Sequence, residues 1–189
     1  MLSAIIATRE SERALVPTLS ALVPAVAVGL LREVIIADAG SRDATAEVAE
    51  LAGCRLLSSA EPLGTRLKTA AAQTRAPWLL FLRAGIVPEP GWNAAAERFM
   101  RSAELSEPPR AAVFRPPRAA DLMRPGFAEI AAMLRLALGG GPRPEQGLLI
   151  ARRLYDALGG HAGGDEAEAA FLRKLGRRRT AVLPAGTNT

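Results

Sequence analysis

An α/β layer fold with a mostly parallel central sheet is predicted for this chain, on three observations. Short apolar runs that read as strands alternate with helical patterns from residue 2 to residue 104. Nearly every run stops at a polar or glycine break, as strands of such sheets do where ligands bind. Apolar residues make up 49% of the chain and charged residues 23%, enough for a buried core and too little charge for disorder.

The elements follow in order. SAIIA at 3–7 is a short buried-strand pattern, and TRES at 8–11 breaks it. A helix is expected from about Pro17, since proline suits a first turn, and should not pass Pro24. EVIIA at 33–37 is the second strand. Ser41 is placed to cap a helix reaching Gly53, with Ala44, Val48 and Leu51 on one face. CRLLS at 54–58 is a third strand, 66–75 a helix, and WLLFL at 78–82 the most apolar strand. Pro90 opens a helix in which Trp92, Ala96, Phe99 and Ala103 recur at helical spacing. AAVFR at 111–115 reads as a strand and 127–138 as an amphipathic helix. That helix is expected in the core, with a homodimer or membrane-facing surface left open as the alternative. GLLIA at 147–151 is a strand, 152–158 and 165–175 are helices, and TAVLP at 180–184 is the last strand. No repeat is visible. A single domain over 1–189 is expected, with a nucleotide-binding half at 1–104 and an acceptor-side half at 111–189.

The net charge of +5 favours anionic partners such as phosphates, nucleotides, acidic lipid or nucleic acid, without choosing among them. The single cysteine, Cys54, rules out an internal disulfide and a cysteine-based zinc site, and agrees with a reducing cytoplasm. No cleavable leader pattern is present. The apolar run at 19–31 is interrupted by Pro24 and is shorter than the roughly 20 residues that span a bilayer. A soluble cytoplasmic protein is expected, with peripheral membrane contact left open.

Several motifs are absent. There is no GxGxxG, and Leu67 stands where a P-loop needs glycine before the lysine. There is no GxSxG, and one histidine, His161, cannot make a histidine metal site; it reads as a loop residue. Arg177-Arg178-Arg179 has no nucleic-acid-binding pattern beside it and reads as a solvated turn, so no nucleic-acid partner is expected.

Four stretches together resemble family 2 glycosyltransferases. SAIIATRES resembles their opening S-V-I-I-P-T-Y-N-E, and EVIIADAGSRDAT their E-V-I-V-V-D-D-G-S-T-D-G-T. GTRLKTAAAQTRAPWLLFLRAG resembles their glycine, alanine-rich helix and L-L-F-L-D-A-D. RRLYDALGGHAGGDEAEAAFLRKLG resembles R-x-x-F-x-x-x-G-G-F, then E-D, then a helix ending R-R-L-G. The stretches run in the family's order and cover most of the chain, closest to its short, single-domain bacterial members. The resemblance implies a GT-A-like α/β/α fold and sugar transfer from a nucleotide-sugar donor to an acceptor left unidentified.

It also implies roles. Thr8 and Glu10 fall in the first motif at the donor pocket, and Asp38 would accept hydrogen bonds from the donor. The alternative for Asp38 is a turn former. Asp165 aligns with the carboxylate that serves as general base for the acceptor hydroxyl; its alternative is a helix-start residue favoured by the macrodipole. The metal-binding Asp-x-Asp is replaced by Arg83-Ala84-Gly85, so no metal is expected there. Arg83, with Arg66 and Lys68 near, would meet the diphosphate by forked hydrogen bonds instead. The rival reading is an inactive domain of the same fold that binds a nucleotide or a protein. A nucleotidyltransferase fits less well, because 8–11 lacks a glycine-rich phosphate loop.

Overall fold

The computed structural model describes residues 1–115 and 142–188. Strands β1 (Leu2–Thr8), β2 (Leu31–Asp38), β3 (Arg55–Ser58) and β4 (Trp78–Arg83) alternate with helices α1 (Glu12–Ala27), α2 (Thr45–Leu51) and α3 (Leu63–Gln73). After β5 (Val87–Pro88) come α4 (Trp92–Glu104) and β6 (Ala111–Arg115). β7 (Leu148–Ala151), α5 (Arg152–Ala157), α6 (Ala167–Leu175) and β8 (Thr180–Asn188) complete the described chain. The expected helix at 127–138 lies outside the described residues.

The strands form one sheet in the order β3-β2-β1-β4-β7-β6-β8-β5. β1 pairs in parallel with β2 and β4, β2 with β3, and β6 with β8; β7 runs antiparallel to both β4 and β6. β1 is buried along its whole length, which explains its unbroken apolar run: a central strand has two covered faces. The core continues through β4, β6 and β7 onto Trp92, Phe81 and Phe114.

Three expectations are corrected. α1 starts at Glu12 and runs through both Pro17 and Pro24. Leu15, Thr18, Leu22 and Ala25 are buried on the opposite face, while both prolines are exposed. The carbonyls that lose a donor, of Arg13 and Ser20, also belong to exposed residues, so water can serve them and burial holds the helix.

α2 is shorter than expected. Ser41 gives its hydroxyl to Asp38 rather than to a helix end, and Asp43 Oδ1 accepts the Thr45 N–H at 3.0 Å and its hydroxyl at 2.5 Å. That start buries Thr45 and Ala49 and leaves Leu51 82% exposed, so Leu51 does not share the inner face. β8 extends past Pro184 to Asn188 because β5, unforeseen in the sequence, pairs with Thr187 and Asn188. Gly186 is clamped there: its N–H donates to Glu89 Oε2 at 2.8 Å and its carbonyl accepts the Glu89 N–H at 2.9 Å.

Candidate active site

The parallel strands β2, β1 and β4 end side by side. Register sets Thr8 beside Asp38, and Ala7 beside Arg83. Asp38 is buried, and its carboxylate accepts five hydrogen bonds. Oδ1 takes the Thr8 and Ser41 hydroxyls at 2.8 and 2.5 Å. Oδ2 takes the Gly40 and Ser41 N–H groups, each at 2.8 Å, and the Ser58 hydroxyl at 3.1 Å. A carboxylate offers about four lone-pair sites, so Asp38 is saturated and acts here as the post that holds the 38–41 turn. Burial pushes its pKa up, but the bonds from Ser41, Thr8 and Ser58 prevail and hold it below the ordinary value.

Glu10 sits at a φ of +47°, in the left-handed region that a non-glycine residue rarely takes. Its carboxylate accepts the N–H groups of Arg42 and Asp43 at 3.0 and 3.2 Å, and its own N–H donates to Ser41 Oγ at 2.9 Å. Glu12, Asp43 and Thr45 add further ties between the same two loops, Thr45 by accepting the Ser11 N–H at 2.8 Å. The loops after β1 and β2 are thus laced into one rim.

Arg66 reaches from α3 beneath that rim. Its Nη1 donates to the carbonyls of Ala37 and Thr8, and its Nε to Glu61 O at 3.1 Å. Burial lowers its pKa against the pull of Asp38. Arg66 therefore braces the ends of β1 and β2 from within. Lys68 is exposed on the same helix.

Arg83 closes on Glu168 of α6, with Nε at 2.6 Å and Nη2 at 2.5 Å from one carboxylate oxygen. Glu168 is buried, and burial raises its pKa although Arg83 opposes the rise. The turn beyond has its own structural reason for glycine. Gly85 has a φ of +94°, and its N–H donates to Ala14 O at 3.0 Å and Thr18 Oγ1 at 2.9 Å. A divalent cation does not suit this turn, because Arg83 brings positive charge and Gly85 brings no ligand. Among the described residues, no three His, Cys, Asp or Glu side chains stand close enough together to hold a metal ion.

Asp165 is exposed, and its Oδ1 accepts the Leu63 N–H at 3.3 Å. The loop that carries it presses on the start of α3. Gly64 donates to Gly164 O at 3.0 Å, and a Cβ on Gly64 would lie 1.7 Å from Ala162 O. Thr8, Asp38 and Arg66 thus form one buried cluster. Arg83 stands one strand away with Glu168, Asp165 lies against α3, and Glu10 turns into the rim.

Glu168 and Ser58 were not singled out in the sequence, and Ser41 was singled out only as a helix cap. Glu168 had a signal: with Leu172 and Leu175 it shares the inward stripe of α6, where a carboxylate needs a partner. His161, expected in a loop, is in a loop but buried among Phe81, Tyr155 and Phe171. Its N–H donates to the Tyr155 hydroxyl at 3.1 Å, which leaves that hydroxyl free to donate to Nδ1 at 3.0 Å. Burial lowers the His161 pKa to about 4 and raises that of Tyr155 to about 12. A hollow of about 10 Å³ separates His161 from Glu168, room for about one water. A much larger apolar groove, about 620 Å³, lies elsewhere, between α1 and the Val87 to Trp92 segment. Among the described residues no helix is long and apolar enough to cross a membrane.

No family model and no curated protein matches the chain. Solved structures do. Glucosyl-3-phosphoglycerate synthase from Mycobacterium tuberculosis, in complex with Mn2+, UDP and glucosyl-3-phosphoglycerate, aligns with a TM-score of 0.71 at 22% identity. The alignment covers 96% of this chain and 68% of that one. The same enzyme with Mg2+ and UDP aligns at 0.71 and 21%, over 96% and 68% of the two chains. Another structure of it aligns at 0.70 and 22%, over 100% and 72%. At this identity the likeness speaks for architecture. The chain has the GT-A-like α/β fold that glycosyltransferases of this kind share.

Proposed function

We propose that this protein is a nucleotide-sugar glycosyltransferase of the family 2 type, working without a metal at the β4 turn. One observation carries the transferase reading: an alignment over 96% of the chain matches a synthase solved with Mn2+, UDP-glucose and phosphoglyceric acid. Residues 1–104 are the nucleotide half, and 111–189 the acceptor half. Thr8, Glu10, Asp38 and Arg66 shape the donor rim, Asp38 and Arg66 by holding it. Arg83, whose side chain is 41% exposed, meets the diphosphate as the leaving group forms. Asp165, exposed and only weakly held, is the general base.

Calorimetry with UDP-, GDP- and TDP-sugars tests this, first with magnesium or manganese and then with EDTA. Binding that persists in EDTA and weakens in Arg83→Ala supports the metal-free donor site. Nucleoside diphosphate release that stops in Asp165→Asn while donor binding remains supports the base.

A second reading is favoured by the Arg83–Glu168 pair. A cation already balanced by a buried carboxylate is poorly placed to neutralise a departing diphosphate. On this reading the domain binds a nucleotide or a protein and catalyses nothing. Donor binding without diphosphate release, or no binding of any sugar nucleotide, would select it.

A further inference from the structure

The pole opposite the candidate site gathers cations in strand order. β1, β2, β3, β4, β6 and β8 all point one way, so their first residues share one end of the sheet, joined by the last residue of β7. Along that end stand Arg55 at the start of β3 and Arg32 at the start of β2. Arg75 lies just before β4, Arg153 just after β7, and Arg110 just before β6. All five are exposed. The run Arg177–Arg179 leads into β8 and ends the row. Neighbouring strands are about 5 Å apart, so this is a continuous basic edge. Carboxylates are fewer here: Glu50, Glu104, Glu107 and Asp156 are exposed, and Glu33, hydrogen-bonded by the Ser3 hydroxyl and the Arg75 N–H, stays ionised and offsets part of the charge of Arg32 and Arg55.

Large apolar side chains emerge at the same pole, because the helices before these strands end there. Val28 after α1 is 67% exposed, Leu51 closing α2 is 82% exposed, and Leu105 after α4 is 89% exposed. Met1, before β1, is 59% exposed. Cations in a row with aliphatic side chains between them match an anionic bilayer surface, where headgroups meet the arginines and the aliphatics enter the interface. Single-stranded nucleic acid would be met by stacking rings, whereas the described aromatic rings are buried or half-buried, and a duplex, bound through its phosphates, would leave the aliphatic side chains without a role.

We propose that this strand-start pole docks the protein on an anionic lipid surface. The inference is independent of the proposed chemistry, since the two regions occupy opposite ends of the sheet.

Flotation of the full chain with vesicles tests it. Phosphatidylglycerol-containing vesicles should carry the protein, pure phosphatidylcholine vesicles should not, and added salt should weaken binding. Reversal of Arg32, Arg110 and Arg153 to Glu should weaken binding at least about a hundredfold, at about fivefold per arginine near the surface. Val28→Ser with Leu51→Ser and Leu105→Ser should weaken it as well, with an unchanged circular dichroism spectrum. Failure of the unaltered protein to bind anionic vesicles at low salt would overturn the proposal. So would full binding by the triple serine variant, or equal displacement by duplex DNA, since either would mark a general polycation.

Discussion

Arg83 and Glu168, on β4 and α6, meet through two nitrogens on one oxygen, at 2.6 and 2.5 Å. Arg83→Ala would leave Glu168 buried without its cation. A fully buried pair would lose about 3–5 kcal/mol; with Arg83 41% exposed, about 1–2 kcal/mol is expected. Glu168→Gln keeps an acceptor and should lose less. Urea unfolding of both variants and their double mutant measures the coupling.

The same pair sets a pH dependence. The Glu168 pKa is raised in the folded state, so the native protein holds that proton to higher pH than the unfolded chain. Its contribution to stability is present below the ordinary carboxyl value and falls as pH climbs through the raised one. Glu168→Gln should remove that falling limb from a plot of unfolding free energy against pH.

His161 acts in the opposite direction. Its pKa is about 4 in the fold against an ordinary 6.5. The unfolded chain therefore binds the extra proton first, and stability falls as pH drops from about 6.5 toward 4. The loss is about 3 kcal/mol across that window. His161→Phe should flatten this slope at neutral-to-acid pH, read by the same titration.

Asp38 should prove structural before it proves anything else. Asp38→Ala leaves the donors of Thr8, Gly40, Ser41 and Ser58 without their shared acceptor, and about 3 kcal/mol or more should be lost. Because its folded pKa is lowered, the stability it adds is present above the ordinary carboxyl value and lost as pH falls through the depressed one. Amide hydrogen exchange should report faster exchange at Gly40 and Ser41 in the variant.

Gly64→Ala should be severe for a reason of space alone. The added methyl would collide with a backbone carbonyl, that of Ala162, which cannot move without shifting the Asp165 loop. A loss of about 3 kcal/mol is expected, at the upper end for overpacking. Thermal unfolding checks it, and a parallel fall in any turnover would tie the loop to function.

Much of the fold was legible because β1, β2 and β4 carry strong apolar runs with clear breaks, and these runs are where strand pairing is buried on both faces. α1 was misread because proline rules describe local geometry, while Leu15, Leu22 and Ala25 act through burial. β5 was invisible: two residues form a strand only because β8 lies beside them. The site was half legible. Asp38 and Arg83 were singled out as strand-end residues, and the structure sets both at the ends of their strands. That Asp38 is saturated and Arg83 is held by Glu168 depends on partners up to 85 residues away in sequence.

The placement of β7 between β4 and β6 also governs how this chain is made. β4, the most apolar strand, meets β1 early, but its other edge stays open until residues 148–151 emerge. β6 is in the same position, since both its neighbours, β7 and β8, come later. A growing chain that has reached residue 115 therefore carries two apolar strands with unpaired edges, one edge on β4 and both on β6, the surface most prone to pair with a neighbour. Synthesis of this protein has a vulnerable middle, and the last segments serve as its edge protection.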